Sequence, residues 1–320
     1  MLLKKINLFL KKPLSVAIFY LFERWVTKDK RRVLSTNLYI KIARFINLRE
    51  YNITLKARKA FLTEFQRLHA SSTPKDFMAD GWSLFPENYF PYTREVVATG
   101  KAIFEKVGRD NSRKVMPYHI ADIDELLAIE EFYKFAFSEK LIAHAAEYIG
   151  EYPVLANMAL LRSDPTSNDI WIGSQNFHLD IISKKVFRVV VLIDEMNQQN
   201  GPFTFYPASV SKKIRSDKNI KYGYSLTSPT IKDEELKDYP DHQQVQIIGE
   251  GGEVLTVDTC NCFHLGSRAK SESRCVLMLS YTSPILDNLR DAMGLDKSVA
   301  ITESEPMHIK LAKSKNYSYN

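Results

Sequence analysis

A 320-residue chain with 18 Phe, 16 Tyr and only 12 Gly can bury the core of one large domain or two ordinary ones, which excludes a disordered or repetitive protein. The net charge of +6 is unevenly placed: residues 1–59 hold 15 Lys/Arg against 3 Asp/Glu, so a basic arm precedes a mildly acidic body, and no nucleic-acid partner is expected. Three cysteines, Cys260, Cys262 and Cys275, give no disulfide framework and suit a reducing compartment, so the expected location is cytoplasmic.

Within the arm, the apolar run Pro13–Phe22 lies between Lys11-Lys12 and Glu23-Arg24. It is too short to span a bilayer, which takes about 20 residues, and no small-residue cleavage site follows it. Two readings stand: a helix lying on an anionic membrane, or an amphipathic helix packed on the domain with its lysines in solvent, the commoner fate of a charge run. Apolar residues at three- and four-residue spacing then predict helices over Leu34–Leu48 and Thr54–His69, with Ser35 or Thr36 and Thr54 as N-caps. Ser71–Pro74 is a break, Gly81–Pro86 a strand running into a turn, and Pro86 and Pro91 punctuate a connecting segment. A helix is expected over Ile123–Phe137, its start marked by Asp122, Asp124 and Glu125. Ser138 caps the next, Glu139–Ile149, and Gly150 ends it.

Beyond Gly150 the pattern is that of short strands: Val154–Leu161, the segment around His178, Val186–Ile193, Phe203–Tyr206 after the Asn200-Gly201-Pro202 turn, Glu253–Asp258 after Gly251-Gly252, and Cys275–Tyr281. Ser209–Gln246 is a long polar insertion, of a kind that forms lids. Short strands joined by Gly and Pro turns predict a sandwich or barrel, and helices that precede the strands argue against a parallel α/β sheet. The expected layout is a basic helical arm at 1–60, a domain at 61–300 with its β core at about 150–285, and a tail at 301–320.

His178 and Asp180 are two residues apart, so on an extended strand both point to one side. With His264, 86 residues on, they supply two imidazoles and a carboxylate, a set that leaves three adjacent positions open on a ferrous ion for a bidentate acid and dioxygen. His-x-Asp alone is common, and a lone buried histidine is more often a hydrogen-bonded core residue. Arg274 follows His264 by ten residues, and a hairpin would return it beside the metal, where a guanidinium takes a carboxylate bidentately. It could instead pair with Asp258 or lie exposed; Arg268, in the polar turn Gly266–Ser273, is a rival anchor. Asp258, Cys260, Cys262 and His264 also have strand spacing that could serve zinc, but there is no second cysteine pair to close a tetrahedron. Lys184, Lys185 and Arg188 could receive an anionic substrate group or form a basic strand edge. No metalloprotease, phosphate-loop or serine-hydrolase motif is present.

Taken together, His178-Leu179-Asp180, Asn200–Ser209, Gly251–Asp258, His264 and Arg274 resemble the phytanoyl-CoA dioxygenase family of Fe(II)/2-oxoglutarate oxygenases over roughly residues 150–285. Pro207-Ala208-Ser209-Val210 departs from the Pro-Gly-Ser-His usual there. The resemblance implies a mainly β fold with flanking helices, a double-stranded β-helix (a cupin-like jelly roll) preceded by a helical N-terminal region. It implies His178, Asp180 and His264 as iron ligands, Arg274 as the anchor of 2-oxoglutarate, and dioxygen as oxidant. The expected reaction is hydroxylation of a small-molecule or acyl substrate, since the carboxylate that related halogenases lack is present as Asp180. Asn157, on the strand before the motif, is a candidate hydrogen-bond donor to the cosubstrate. Readings from other classes are a jelly-roll binding module without turnover and a peripheral membrane protein that uses the basic arm.

Overall fold

The computed structural model describes residues 48–69, 75–108, 117–165, 171, 173–180, 184–220, 230–239, 243–284 and 301–313, with backbone only at 48–57, 75, 76 and 78. The Pro13–Phe22 run, the helix expected over Leu34–Leu48 (its last residue apart) and the Ser71–Pro74 break lie outside these residues. In chain order the helical elements before the β core are α1 (Leu48–Leu68), α2 (Lys75–Asp80), α3 (Thr93–Val107), α4 (Ile123–Leu127), α5 (Glu130–Ala136) and α6 (Glu139–Ile149). Two strands fall among them, β1 (Trp82–Phe85) and β2 (Tyr118–Asp122). There follow β3 (Val154–Ser163), β4 (Phe177–His178), β5 (Phe187–Leu192), β6 (Phe203–Phe205), α7 (Ala208–Asp217), β7 (Thr230–Ile231), β8 (Val245–Ile247), β9 (Val254–Val257), β10 (His264–Leu265), β11 (Arg274–Thr282) and α8 (Met307–Lys313). None of the described helices is long and apolar enough to cross a membrane.

The strands form two antiparallel sheets, ordered β1-β9-β5-β11-β3-β2 and β7-β4-β10-β6-β8, with helices on one side of the larger. Alternation assigns the faces. Phe187, Val189 and Val191 of β5 and Leu277, Leu279 and Tyr281 of β11 join the helical core, whereas Val190, Leu192, Val276 and Met278 pack between the sheets. Because both faces are covered, β5 is buried at every position. Deleting a side chain such as Leu277 from this layer should cost about 2–5 kcal/mol.

Several expectations are corrected. α1 runs straight through Thr54, which therefore does not cap a helix. The helix expected over Ile123–Phe137 is two short ones, separated where Ile129 turns extended at φ −97° and ψ 124°. α6 has the expected bounds, and Gly150 ends it at φ 79°, in the left-handed region that glycine enters without strain. Ser138 precedes it but makes no side-chain cap bond. α3 and β2 were not expected.

The 209–246 insertion is not a structureless loop. It supplies α7, β7, a 3₁₀ turn at Asp233–Leu236 and most of β8, and its Ile214, Ile231, Leu236 and Tyr239 cover the outer face of the small sheet with Phe177, Tyr206 and Leu265. α8 seats Leu311 and Ala312 in the helical core, and the buried Arg58 guanidinium of α1 donates to its Leu311 carbonyl at 2.9 Å.

Candidate metal centre

β4 and β10 are neighbours in the small sheet, with His178 and His264 as register partners. Directly opposed residues on adjacent strands project to the same face. The two rings accordingly lie 4.2 Å apart between centroids, and Phe203 of β6 stacks beneath His264 at 5.7 Å and 16°. β4 ends at His178. Leu179 then turns outward into the apolar cover, and the Asp180 N–H donates to the Thr259 carbonyl at 2.9 Å, which brings its carboxylate back under the histidines. One donor atom from each of His178, Asp180 and His264 lies within 4.8 Å of the others, so the three can hold a single metal ion.

The backbone selects which nitrogen each histidine presents. Nδ1 of His178 bonds the Asn176 carbonyl at 2.9 Å, and Nδ1 of His264 bonds the Cys262 carbonyl at 3.1 Å. A carbonyl only accepts, so Nδ1 carries the proton in both rings and Nε2 keeps its lone pair, the arrangement a metal ligand needs. The Nε2 atoms stand 4.0 and 3.9 Å from the two Asp180 oxygens. Burial, and then the neighbouring His178, push His264 down to about 3, so it is neutral and ready to donate.

Asp180 is held from two sides. The Arg188 guanidinium donates to its Oδ2 at 2.7 Å and the Thr259 hydroxyl to the same oxygen at 2.6 Å. Burial alone would raise this carboxyl; Arg188, His264, the Thr259 hydroxyl and His178 together outweigh it and hold the group at about 2, ionised at neutral pH. Arg188 is therefore neither a substrate anchor at the mouth nor a strand-edge charge. It sits on the inter-sheet face of β5 and completes the aspartate. Lys185 is likewise committed, donating to the Tyr148 carbonyl at 2.9 Å. The available signal for Arg188 was a charged residue inside an otherwise apolar, β-branched run.

Arg274 does not return by a β10–β11 hairpin, because those strands belong to different sheets. It opens β11 opposite Ser163 and donates through Nη1 to the Gly201 carbonyl, two residues before Phe203. Gly201 has φ 75°, and a Cβ there would meet the Arg268–Ala269 backbone at 2.6 Å. Arg274 is 4 % exposed, its Nε has no partner, and no carboxylate among the described residues pairs with it. Burial lowers it to about 10, which leaves it cationic at neutral pH. The rival Arg268 is bound by both oxygens of Asp233 at 2.8 and 2.9 Å and faces a cavity outside the small sheet.

Asn157 lies on β3 opposite Ser280, which is itself opposite Arg188. It therefore shares the Arg188 row, six residues along β11 from Arg274, or ~20 Å at about 3.3 Å per residue.

Zinc is not supported. Residues 258–262 form a turn rather than a strand, so their side chains do not share a face. Asp258 instead accepts bonds from the Tyr148 hydroxyl, Asn261 Nδ2 at 2.7 Å and the Cys260 N–H at 3.0 Å. His178, Asp180 and His264 are the metal-capable group found among the described residues.

No family model and no curated protein sequence matches the chain. Among solved structures it is similar to the epimerase SnoN in complex with Fe3+, alpha ketoglutarate and nogalamycin RO, at 15 % identity over 70 % of this chain and 85 % of that one, with a TM-score of 0.46. It is similar to the non-heme alpha ketoglutarate dependent carbocyclase SnoK at 13 % identity over 66 % and 82 %, with a TM-score of 0.47. It is also similar to HygX from Streptomyces hygroscopicus with nickel and 2-oxoglutarate bound, at 14 % identity over 67 % and 88 %, with a TM-score of 0.44.

Proposed function

We propose that this chain is an Fe(II)/2-oxoglutarate-dependent oxygenase of the phytanoyl-CoA dioxygenase type. Its paired sheets would be a double-stranded β-helix, and its reaction the hydroxylation of an unactivated C–H bond in a small-molecule or acyl substrate. One observation carries this: two histidines and one ionised aspartate converge from separate segments, both imidazoles presenting Nε2 because their Nδ1 protons are spent on backbone carbonyls. Two neutral nitrogens and a carboxylate suit a ferrous ion and leave positions for an acid and dioxygen.

When bound, iron and 2-oxoglutarate supply the activation of dioxygen and the oxidation of the C–H bond. The chain's own groups do the rest. His178, Asp180 and His264 would hold the ion, while Arg188 and Thr259 keep Asp180 ionised and fix its orientation through Oδ2. Arg274, a buried cation with no acid of its own, is suited to the distal carboxylate of the cosubstrate. Asn157, in the Arg188 row, suits a contact at the metal end of the pocket rather than beside Arg274.

The test is iron-dependent succinate formation from 2-oxoglutarate under air, beside His178→Ala and Arg274→Ala. Turnover in the wild type, lost in the first variant and demanding far more 2-oxoglutarate in the second, is expected. A wild-type protein that binds neither iron nor 2-oxoglutarate overturns the proposal.

A further inference from the structure

β11 lies inside the large sheet, between β5 and β3, with the helical core on one face and the small sheet on the other. Of its nine residues Met278 alone is not buried. Its side chain belongs to the face between the sheets, as do those of Asn157 and Leu161 on β3, which are also only partly buried. Helices cover the opposite face, so this exposure comes from the space between the sheets, the space that holds the three candidate ligands.

Met278 touches that centre through one residue. Arg188 donates from Nη2 to Asp180 Oδ2 at 2.7 Å and from Nη1 to the Met278 sulfur at 2.8 Å, and its buried Nε has no partner. The guanidinium is planar and rigid, so the thioether on one arm helps set where the other arm meets the carboxylate.

A thioether is a small, weak acceptor, whereas its sulfoxide is polar. Oxygen added to the lone pair facing Arg188 has no room, because an N–H···O bond by itself takes about 2.7–3.2 Å, the whole of the present gap between nitrogen and sulfur. Oxygen added to the other lone pair leaves an electron-poor sulfur against a cation. Either product displaces the guanidinium, and Asp180 with it. Other oxidisable groups are shielded. Met158 and Met196 are buried, and burial raises the thiols of Cys262 and Cys275, which withholds the reactive thiolate.

We propose that Met278 is a modification site, oxidised to the sulfoxide by a peroxide, and that its oxidation weakens metal binding by His178, Asp180 and His264. The sulfur lone pair takes one peroxide oxygen. An S–O bond forms, the O–O bond breaks and sulfur gives up two electrons. The proton on the transferred oxygen moves to the departing one, which leaves as water or an alcohol. The proposal rests on the reading of the three ligands as a metal centre.

The test treats the metal-free full chain with hydrogen peroxide, maps oxidation by peptide mass spectrometry and measures Mn(II) affinity by calorimetry before and after. One added oxygen is expected at Met278 and none at Met158 or Met196. Mn(II) affinity should fall about tenfold, as when a partner of a metal ligand is lost, and methionine sulfoxide reductases of both epimer specificities should restore it. In Met278→Leu, peroxide should leave the Mn(II) affinity of that variant where it stood before treatment. Met307, partly exposed on α8, reports oxidation elsewhere in both proteins. Met278 intact while Met307 is oxidised, Met278 oxidised with Mn(II) affinity unchanged, or an equal loss in Met278→Leu overturns the proposal and leaves the metal centre standing. No Mn(II) binding by the untreated wild type overturns the metal centre, and this proposal with it.

Discussion

Asp180 is a mostly buried carboxylate and Asp258 a fully buried one, and one turn links them: Thr259, the chain neighbour of Asp258, donates its hydroxyl to Asp180. Their surroundings differ chiefly in charge. Asp258 receives neutral donors, the Tyr148 and Asn261 side chains and the Val186 and Cys260 N–H groups, and burial still raises its pKa. Asp180 also receives a guanidinium, and its carboxyl is held at about 2. Neutral hydrogen bonds satisfy a buried carboxylate's lone pairs, but a cation is needed to balance its charge. One aspartate can therefore serve as a ligand, while the other pins the turn that carries Thr259.

Removing the cation is the severest way to break that contrast. Arg188→Met leaves Asp180 buried without countercharge, and breaking such a pair costs about 3–5 kcal/mol. Urea denaturation of the metal-free protein should show this loss, and calorimetry should show weaker Mn(II) binding. Unchanged values for both would mean the guanidinium is not what separates the two acids. Asp258→Asn should cost about 1–3 kcal/mol by turning an amide N–H toward other donors, while Mn(II) affinity stays within about twofold; loss of metal binding would erase the distinction.

Acid should tilt the two carboxylates in opposite directions in the metal-free protein. The folded pKa of Asp180 is depressed, so its contribution, ~2 kcal/mol, is present above pH 3.8 and is lost as pH falls through about 2. The folded pKa of Asp258 is raised, so its burial costs stability at neutral pH, and the cost is relieved as pH falls through that value toward 3.8. His264 is depressed from 6.5 to about 3, so stability falls as pH drops through that window. Thermal melts between about pH 8 and 4 should therefore decline on acidification, less in His264→Gln and more in Asp258→Asn. Curves that coincide with wild type would count against these environments. The smallest effect should come from Thr259→Val, which removes one hydrogen bond to Asp180 at about 1 kcal/mol and should weaken Mn(II) binding less than Arg188→Met does.

The large sheet was legible because helices cover one of its faces and the small sheet the other, so β3, β5 and β11 read as nearly unbroken apolar runs. α3 was missed although Val96, Val97, Ile103 and Phe104 recur at helical spacing and pack on the helical core. β7 has two residues and β8 three, too few to display alternation, which is why the 209–246 insertion looked like a loop. The turn at 258–262 looked like strand because Asp258, Cys260, Cys262 and His264 recur every two residues, and spacing alone does not show whether the backbone is extended.

The sequence by itself determined the three candidate ligands and Arg274, because few side chains can bind a metal through a lone pair or hold a carboxylate with two parallel donors, and those residues stand out wherever they lie. Only the tertiary structure decided how each is tuned. Asp180 depends on Arg188 from a strand of the other sheet, Asp258 on Tyr148 from a helix, and both histidine tautomers on local backbone carbonyls. Whether Arg188 serves solvent, substrate or a neighbouring aspartate follows from which face of β5 it occupies and what the second sheet brings against that face. Such energies fall off within a few ångströms, so they depend on contacts between residues distant in sequence, which no local pattern records.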